Sequence, residues 1–205
     1  MFDLLRDTIE LDEATANALF DDYAEAIAAA EAKEEIDGVI DLSSICSGTL
    51  RLHEGDLSLD ALHLTAESPS LFVEGNVQIR GLLQQDFRAG FLVVFGDLEA
   101  GDIATTAQIF VTGNLTVRGT LYGNCTNYMT SVLGHTRAKV LVSAKEHYFC
   151  LYGGRTIERI VDVYGDTPNL DDRTDGEEAL VGGIDDGFDE GLVADRLRRG
   201  EPIVT

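Results

Sequence analysis

Residues whose types could support chemistry are few and lie far apart in the sequence. The histidines lack the close spacing of metal ligands, and they are His53, His63, His135 and His147. Glu146 and His147 are adjacent, with Asp162 downstream; an acid–base pair is one interpretation, and a hydrogen-bonding cluster at the end of a structural unit is the favoured one. The sequence contains no serine elbow, phosphate loop or Cys-His motif, so it predicts a protein that is not an enzyme and needs no cofactor.

A further candidate is a loop that partly matches a calcium site. Asp171, Asp175 and Gly176 fit the pattern, but Arg173 occupies a position that requires an oxygen ligand. Gly182 stands where the closing glutamate should be. The sequence therefore predicts no bound calcium.

A glycine-centred repeat occupies the middle of the chain. Apolar residues stand two and four positions before and after each glycine, as in the segment from Leu71 to Gly81. Asn or Asp follows most of these glycines, and such pairs supply the positive φ angles that tight corners require. The corner glycines, spaced by 20, 21, 17 and 21 residues, are Gly55, Gly75, Gly96, Gly113 and Gly134.

This period predicts stacked coils of β-strands. The alternation of apolar and polar residues indicates strands, and an aliphatic column repeated about every 20 residues indicates stacking rather than a hairpin meander. We expect an all-β solenoid, a single-stranded parallel β-helix of about five coils from near Gly38 to near Gly154. Two alternative folds are less favoured. A leucine-rich repeat would need a regular leucine frame and a helix in each unit, whereas these units are rich in Val, Phe and Thr. A left-handed hexapeptide helix would need a hexad that continues between units, and this one does not.

The flanks predict terminal elements. Residues 12–36 predict a helix that covers the first coil, whose strand edges would otherwise recruit another chain. A short helix is expected from about Glu190 to Arg199 within an acidic, glycine-rich extension. The predicted organisation is an N-terminal helical cap at 1–37, a β-helix at 38–164 and the C-terminal extension at 165–205.

The chain is strongly acidic, with 37 Asp and Glu against 15 Lys and Arg among 205 residues and a net charge of −22. This charge repels nucleic-acid phosphates and anionic lipid, so we expect a basic protein partner and no direct binding of nucleic acid or membrane. Three cysteines without a CxxC pair, and a first segment unlike a signal peptide, predict a reducing cytoplasm.

The acidity is concentrated at the two ends of the chain. Residues 1–48 carry −11 and residues 161–205 carry −9, whereas residues 49–160 carry −2. The flanks are either a solvated surface that keeps the protein soluble or a face for a basic partner. The aromatic and polar segment 122–128 interrupts the repeat, and it predicts a protruding corner or a contact loop. The candidate partner-binding residues are Tyr122, Asn124, Asn127, Tyr128, Asp171, Asp172, Glu177, Glu178, Asp185 and Asp186.

A resemblance to a known family rests on the repeat units themselves. The segments that carry it are Leu92-Val93-Val94-Phe95-Gly96-Asp97-Leu98-Glu99-Ala100, Ile109-Phe110-Val111-Thr112-Gly113-Asn114-Leu115-Thr116-Val117, Leu121-Tyr122-Gly123 and Val140-Leu141-Val142. Over about residues 70–150 the chain resembles the bactofilin-like, polymer-forming cytoskeletal proteins of bacteria. The resemblance implies a right-handed β-helix that polymerises end to end without nucleotide.

Functions from different classes follow from these observations. The favoured one is an acidic β-helix that binds a basic protein, in its most concrete form an immunity protein that neutralises a basic bacterial toxin. The second, implied by the resemblance, is a scaffold that assembles into a homo-oligomer through the ends of its coils. The third is a nucleic-acid mimic whose carboxylates imitate phosphates.

Overall fold

A computed structural model describes residues 3–32, 45–46, 48–125, 127–145, 147–163, 170, 174–176, 179–181 and 190–205. The N-terminal elements are β1 (Ile9–Leu11), α1 (Glu13–Ala18), a 3₁₀ helix (Asp21–Tyr23) and α2 (Ala24–Glu31). The coil strands are β2 (Leu50–Glu54), β3 (Leu57–Leu59), β4 (Leu62–Leu64), β5 (Ser70–Glu74), β6 (Val77–Gln85), β7 (Leu92–Val94), β8 (Leu98–Thr105), β9 (Ile109–Val111), β10 (Leu115–Asn124), β11 (Met129–Val132), β12 (Thr136–Ala144), β13 (Tyr148–Leu151) and β14 (Arg155–Asp162). The C-terminal elements are β15 (Thr174–Asp175) and α3 (Glu190–Arg198).

The predicted parallel β-solenoid is confirmed, with about six turns rather than five. One sheet has the order β1-β2-β5-β7-β9-β11-β13, and the other has the order β15-β14-β12-β10-β8-β6-β3, with β4 also paired to β6. The additional turn is built by β13 and β14. Its corner lacks the Asn or Asp that follows the earlier glycines, and charged residues weaken the alternation in β14, so the sequence repeat fades there.

The register of the second sheet reproduces the glycine spacing. Leu57 pairs with Val77, Val77 with Leu98, and Leu98 with Leu115, which are steps of 20, 21 and 17 residues. Leu115 then pairs with Thr136, a step of 21 residues. Each glycine in the sequence repeat therefore marks one turn of the solenoid.

Each turn has three straight runs and three corners. The long strands of the second sheet bend in the middle, where the register shifts, for example between Val117 and Thr120. With the shorter strand of the first sheet, these two halves enclose a dry interior filled by an aliphatic ladder. Val73, Leu83, Ile103 and Leu121 are among its fully buried side chains.

The glycine column at the first corner is required by close stacking rather than by a positive φ angle. A Cβ atom on Gly75 would lie 2.5 Å from the carbonyl carbon of Gly55, and one on Gly96 would lie 2.6 Å from the carbonyl oxygen of Gly75. The same distance is 2.5 Å from Gly113 to the carbonyl oxygen of Gly96, and Gly134 stacks on Gly113 in the same way. Of these glycines only Gly55, with φ of +84°, has the predicted left-handed backbone.

The residues after the glycines form a hydrogen-bonded side-chain ladder. The backbone N–H of Asn76 donates to Asp56 Oδ1 at 2.8 Å, and that of Asp97 donates to Asn76 Oδ1 at 2.9 Å. The N–H of Asn114 donates to Asp97 Oδ1 at 2.7 Å, and that of His135 donates to Asn114 Oδ1 at 2.9 Å. Because Asp alternates with Asn, no two carboxylates of this ladder stack directly, and these four backbone N–H groups at the first corner are satisfied.

The N-terminal helices pack on a side of the solenoid, against the outer face of the first sheet. The expected single helix over 12–36 is instead α1, the 3₁₀ helix and α2, and residues 33–36 lie outside the described part. Phe20 packs edge-on against Phe95 and Phe110, with ring centroids 5.1 and 5.5 Å apart. Those rings point outward from the first sheet, so the helices bury an apolar outer face of the solenoid.

The first coil is closed by the residues before α1. Strand β1 pairs antiparallel with β2, with Leu11 opposite Leu50. Leu4 packs against the interior ladder from the open end of the first coil. The Arg51 guanidinium donates to the carbonyl oxygens of Leu5 and Thr8, and these bonds hold the N-terminal turn that follows Leu4. Strand β2 is thereby paired on both sides, and the edge of the first sheet is the three-residue β1, which is a short template for adding another chain.

The C-terminal elements cover a second side and the opposite end. The apolar side chains of Val193, Ala194 and Leu197 on α3 pack on outward-facing residues of the second sheet, so the predicted short helix is confirmed. Leu170, beyond the last coil, packs against the interior ladder, and β15 pairs with β14. No helix in the described ranges is long and apolar enough to cross a membrane.

We expect Gly96→Ala to lower the free energy of unfolding by about 2 to 3 kcal/mol, because the added Cβ must displace the corner below it. Gly81→Ala is the matched control, since its Cβ would meet a single atom, the Asp60 carbonyl oxygen, at 3.0 Å. That variant should stay within about 1 kcal/mol of the wild type. Urea unfolding measures both, and equal losses would contradict a stacking role for Gly96.

Candidate functional site

A surface depression lies at the third corner of the first coils, and we call it the corner groove. It has a volume of about 470 Å³, and the lining residues that matter here are Leu5, Ser70, Arg88, Gly90, Phe91 and Tyr128. They come from the N-terminal turn, from the corners of coils 1 and 2 and from the corner of coil 4. The groove therefore joins parts of the chain that are distant in sequence.

A short corner in coil 3 creates the aromatic wall of this groove. Only residues 106–108 connect β8 to β9, whereas 86–91 connect β6 to β7. Because coil 3 turns early, Tyr128 of coil 4 reaches past it to Phe91 of coil 2, where the rings meet edge-on at 5.8 Å. The spacing of 17 residues between Gly96 and Gly113 was the sequence signal for this short corner.

A buried polar network holds the short corner in place. Thr105 Oγ1 donates to Gln85 Oε1 at 2.9 Å, and Gln85 Nε2 donates to the carbonyl oxygens of Gly90 at 3.1 Å and Gln108 at 3.2 Å. Gln85 and Thr105 are buried. A satisfied interior network of this kind fixes the backbone beneath the groove.

Exposed hydrophobic side chains occur at the groove and beside it in sequence, since Leu5 lines the groove and Phe87 precedes its lining residue Arg88. Leu5 is 68% exposed and Phe87 is 46% exposed, and Ile9 is the third large hydrophobic residue exposed in the described part of the chain. Arg88 lies over the Phe87 ring at 5.3 Å and has a left-handed backbone with φ of 62°. The side chain of Arg88 forms no ion pair among the described residues. An exposed aromatic and arginine pair with a strained backbone is typical of a contact site.

An acidic surface adjoins the groove through the N-terminal segment that carries Leu5. Residues 3–31 contain nine Asp and Glu against a single base, Arg6, and all of these acids except the half-buried Glu31 are exposed. Part of this acidity stabilises local structure. Asp12 caps α1 by accepting from the Thr15 N–H at 2.9 Å, and that bond lowers the pKa of Asp12. The remaining charge faces solvent.

The structure separates the predicted contact residues into three groups. Tyr122 and Asn124 are each 1% exposed at the end of β10, so they are not available to a partner, and the predicted protruding loop is wrong for them. Tyr122 is buried in the apolar cluster beneath α3. Asn127 is exposed and Tyr128 is half-buried beside the groove. The acidic candidates Asp171, Asp172, Glu177, Glu178, Asp185 and Asp186 lie outside the described residues.

The histidine near the end of coil 5 is a structural residue. His147 is fully buried, and its Nε2 lies 3.1 Å from Thr130 Oγ1. Its ring fills the space left by Gly123, where an added Cβ would lie 2.5 Å from His147 Cγ. Burial lowers the pKa of His147 to about 3, and the Cys125 backbone offsets this only partly. Its neighbour Glu146 lies outside the described residues.

The other candidates for chemistry remain dispersed. Cys46, Cys125 and Cys150 are buried and free, and burial raises the pKa of the Cys46 thiol to about 11. Within the described part of the chain, no three His, Cys, Asp or Glu side chains are grouped as metal ligands. Asp171, the first residue of the partial calcium motif, lies outside the described residues.

Comparison with known proteins gives no assignment. No family model matches the chain, and no curated protein or solved structure matches it. The resemblance to bactofilin-like proteins therefore stays a prediction.

The buried His147 should make stability depend on pH. Its folded pKa of about 3 lies below the ordinary value of 6.5, so the unfolded chain binds the extra proton first. The contribution of neutral His147 to the free energy of unfolding is complete above pH 6.5. It decreases by about 1.4 kcal/mol per pH unit as the pH falls toward the folded pKa. Urea unfolding of the wild type and His147→Gln at several pH values measures the difference in slope. The same slope in both proteins would contradict this.

Proposed function

We propose that this protein is a non-enzymatic acidic β-helix that binds a basic protein through the corner groove and the acidic surface of residues 3–31. The observation that carries the proposal is their adjacency, since a groove with an aromatic wall opens beside a segment with nine acids and one base. In its most concrete form, the protein is an immunity protein that neutralises a basic bacterial toxin. Three buried free cysteines are consistent with a cytoplasmic site of action.

The acidic surface and the groove have different roles in this proposal. Exposed charge on the N-terminal segment attracts a cationic partner over a distance and raises the association rate. Contacts in the groove form only after docking, so Phe91, Tyr128 and Arg88 determine how long the complex lasts. Tyrosine and arginine are the residue types that most often dominate binding energy.

Self-assembly as a cytoskeletal scaffold is less well supported by the same contacts. Growth through the coil ends would require β1 to leave the edge of β2 and Leu4 to leave the interior ladder. Leu170 and β15 occupy comparable positions beyond the last coil. A nucleic-acid mimic would need regularly spaced carboxylates along the rod, whereas the ladder at the first corner alternates Asp with Asn.

The test begins with capture of a basic protein from the native host at low salt, followed by kinetics with the purified partner. Neutralising the acidic surface with Asp21→Asn, Asp22→Asn and Glu25→Gln should lower the association rate about tenfold, because long-range attraction is lost. Tyr128→Ala should leave association nearly unchanged and raise the dissociation rate about tenfold or more. Surface plasmon resonance separates the two rates.

Two control variants are matched to these by the number of charges removed and by the position of the shortened side chain. Glu54→Gln, Glu74→Gln and Glu158→Gln remove three exposed charges outside the acidic surface, and Asn127→Ala shortens an exposed side chain next to Tyr128. These variants should change either rate by less than about twofold. An association rate insensitive to salt, or equal effects of the test and control variants, would overturn the proposal.

A further inference from the structure

The fourth and fifth coils form a belt without acidic residues in a highly acidic protein. From residue 103 to residue 145 the chain contains no Asp or Glu, although the whole chain has 37 of them. The bases of this belt, in the same interval, are Arg118, Arg137, Lys139 and Lys145. Residues 103–145 therefore carry a local charge of +4, which weakens the repulsion that the rest of the chain exerts on an anion near these two coils.

Three of these bases share one uncovered face of the solenoid. The outward residues Gln78, Glu99, Thr116, Arg137 and Thr156 follow one another in register from coil to coil and define what we call the open face. These residues are exposed or half-buried, and the described helices pack on the other two sides. Lys139 lies two residues beyond Arg137 on β12, so both side chains project from the same face.

No carboxylate of the described residues forms an ion pair with the two cations on β12. On the same face, Arg80 forms an ion pair with Asp60, and Arg118 forms one with Glu99. Arg137 and Lys139 are exposed and form no ion pair with any residue in the described part of the chain. A pair of cations with free donors is suited to an anion from solution.

A polar pocket lies directly beside Arg137. Its volume is about 240 Å³, and it is lined by Asp97, Asn114, Thr116, His135 and Arg137. The Thr116 hydroxyl and the Arg137 guanidinium supply donors. His135 is oriented by a 2.9 Å hydrogen bond between its Nε2 and Thr156 Oγ1. The one carboxylate, on Asp97, already accepts from the Asn114 N–H at 2.7 Å and from Asn114 Nδ2 at 3.1 Å.

We infer that this pocket is a binding site for a compact phosphate-type oxyanion, carried by a small molecule. The planar Arg137 guanidinium matches two phosphate oxygens at once, and Lys139 adds charge from the same strand. Asp97 lies two coils from Arg137, about 10 Å away at the usual strand spacing. The site is bounded by Asp97 and Glu99 on coil 3 and by Glu158 on coil 6, so an extended polyanion along the face meets repulsion.

The test is isothermal titration calorimetry of pyrophosphate into the full-length protein, with phosphorus NMR line broadening as a second readout. We expect saturable binding to one site. Arg137→Gln should weaken it about ten- to a hundredfold, because a charge-assisted pair is lost. Lys139→Gln should weaken it about threefold, since its contribution is less directional. Both side chains are exposed, so the fold should be retained, and thermal unfolding checks this.

Arg80→Gln is the matched control, on the same face but paired with Asp60 on a neighbouring coil. It should bind pyrophosphate like the wild type. Absence of binding to the wild type, or equal losses in Arg137→Gln and Arg80→Gln, would overturn the inference. Tighter binding of an eight-nucleotide single strand than of pyrophosphate would also overturn it, because the site would then accept an extended polyanion. The inference does not depend on the proposed function, since the corner groove lies at another corner.

Discussion

Close contact between successive corners is the constraint on which the rest of the molecule depends. At the first corner the backbone of one coil lies so near the next that no side chain fits between them, as at Gly96 over Gly75. That spacing lets each corner N–H reach the Asn or Asp side chain of the neighbouring coil. The aliphatic ladder inside then stacks in register, and no coil is stable without its neighbours.

A stack of this kind presents apolar faces and unpaired edges, and the two termini cover much of both. Residues before α1 close the first coil, and the N-terminal helices bury the outer face of the first sheet around Phe20. The C-terminal helix α3 buries part of the second sheet. Among the described residues, the corner groove, next to the acidic surface, and the open face with its basic belt stay exposed.

The sequence was sufficient to predict the coil period and the corner glycines, because stacking imposes the same local pattern on every turn. It was not sufficient to predict that Tyr122 is buried, because the residues of α3 that cover it lie about 70 positions later in the chain. The groove was missed for a similar reason. A 17-residue spacing reveals a short corner, but it does not reveal that Tyr128 will reach Phe91 across it.

The central claim is that the termini turn a repeating stack into a discrete particle whose free surfaces serve other molecules. Light scattering after size exclusion, over a wide range of protein concentration and at low and high salt, tests this most directly. We predict a single mass of 22.2 kDa under every condition, because β1, Leu4 and Leu170 close the ends. A mass that grows with concentration would contradict the claim, since it would mean that the coil ends add further chains.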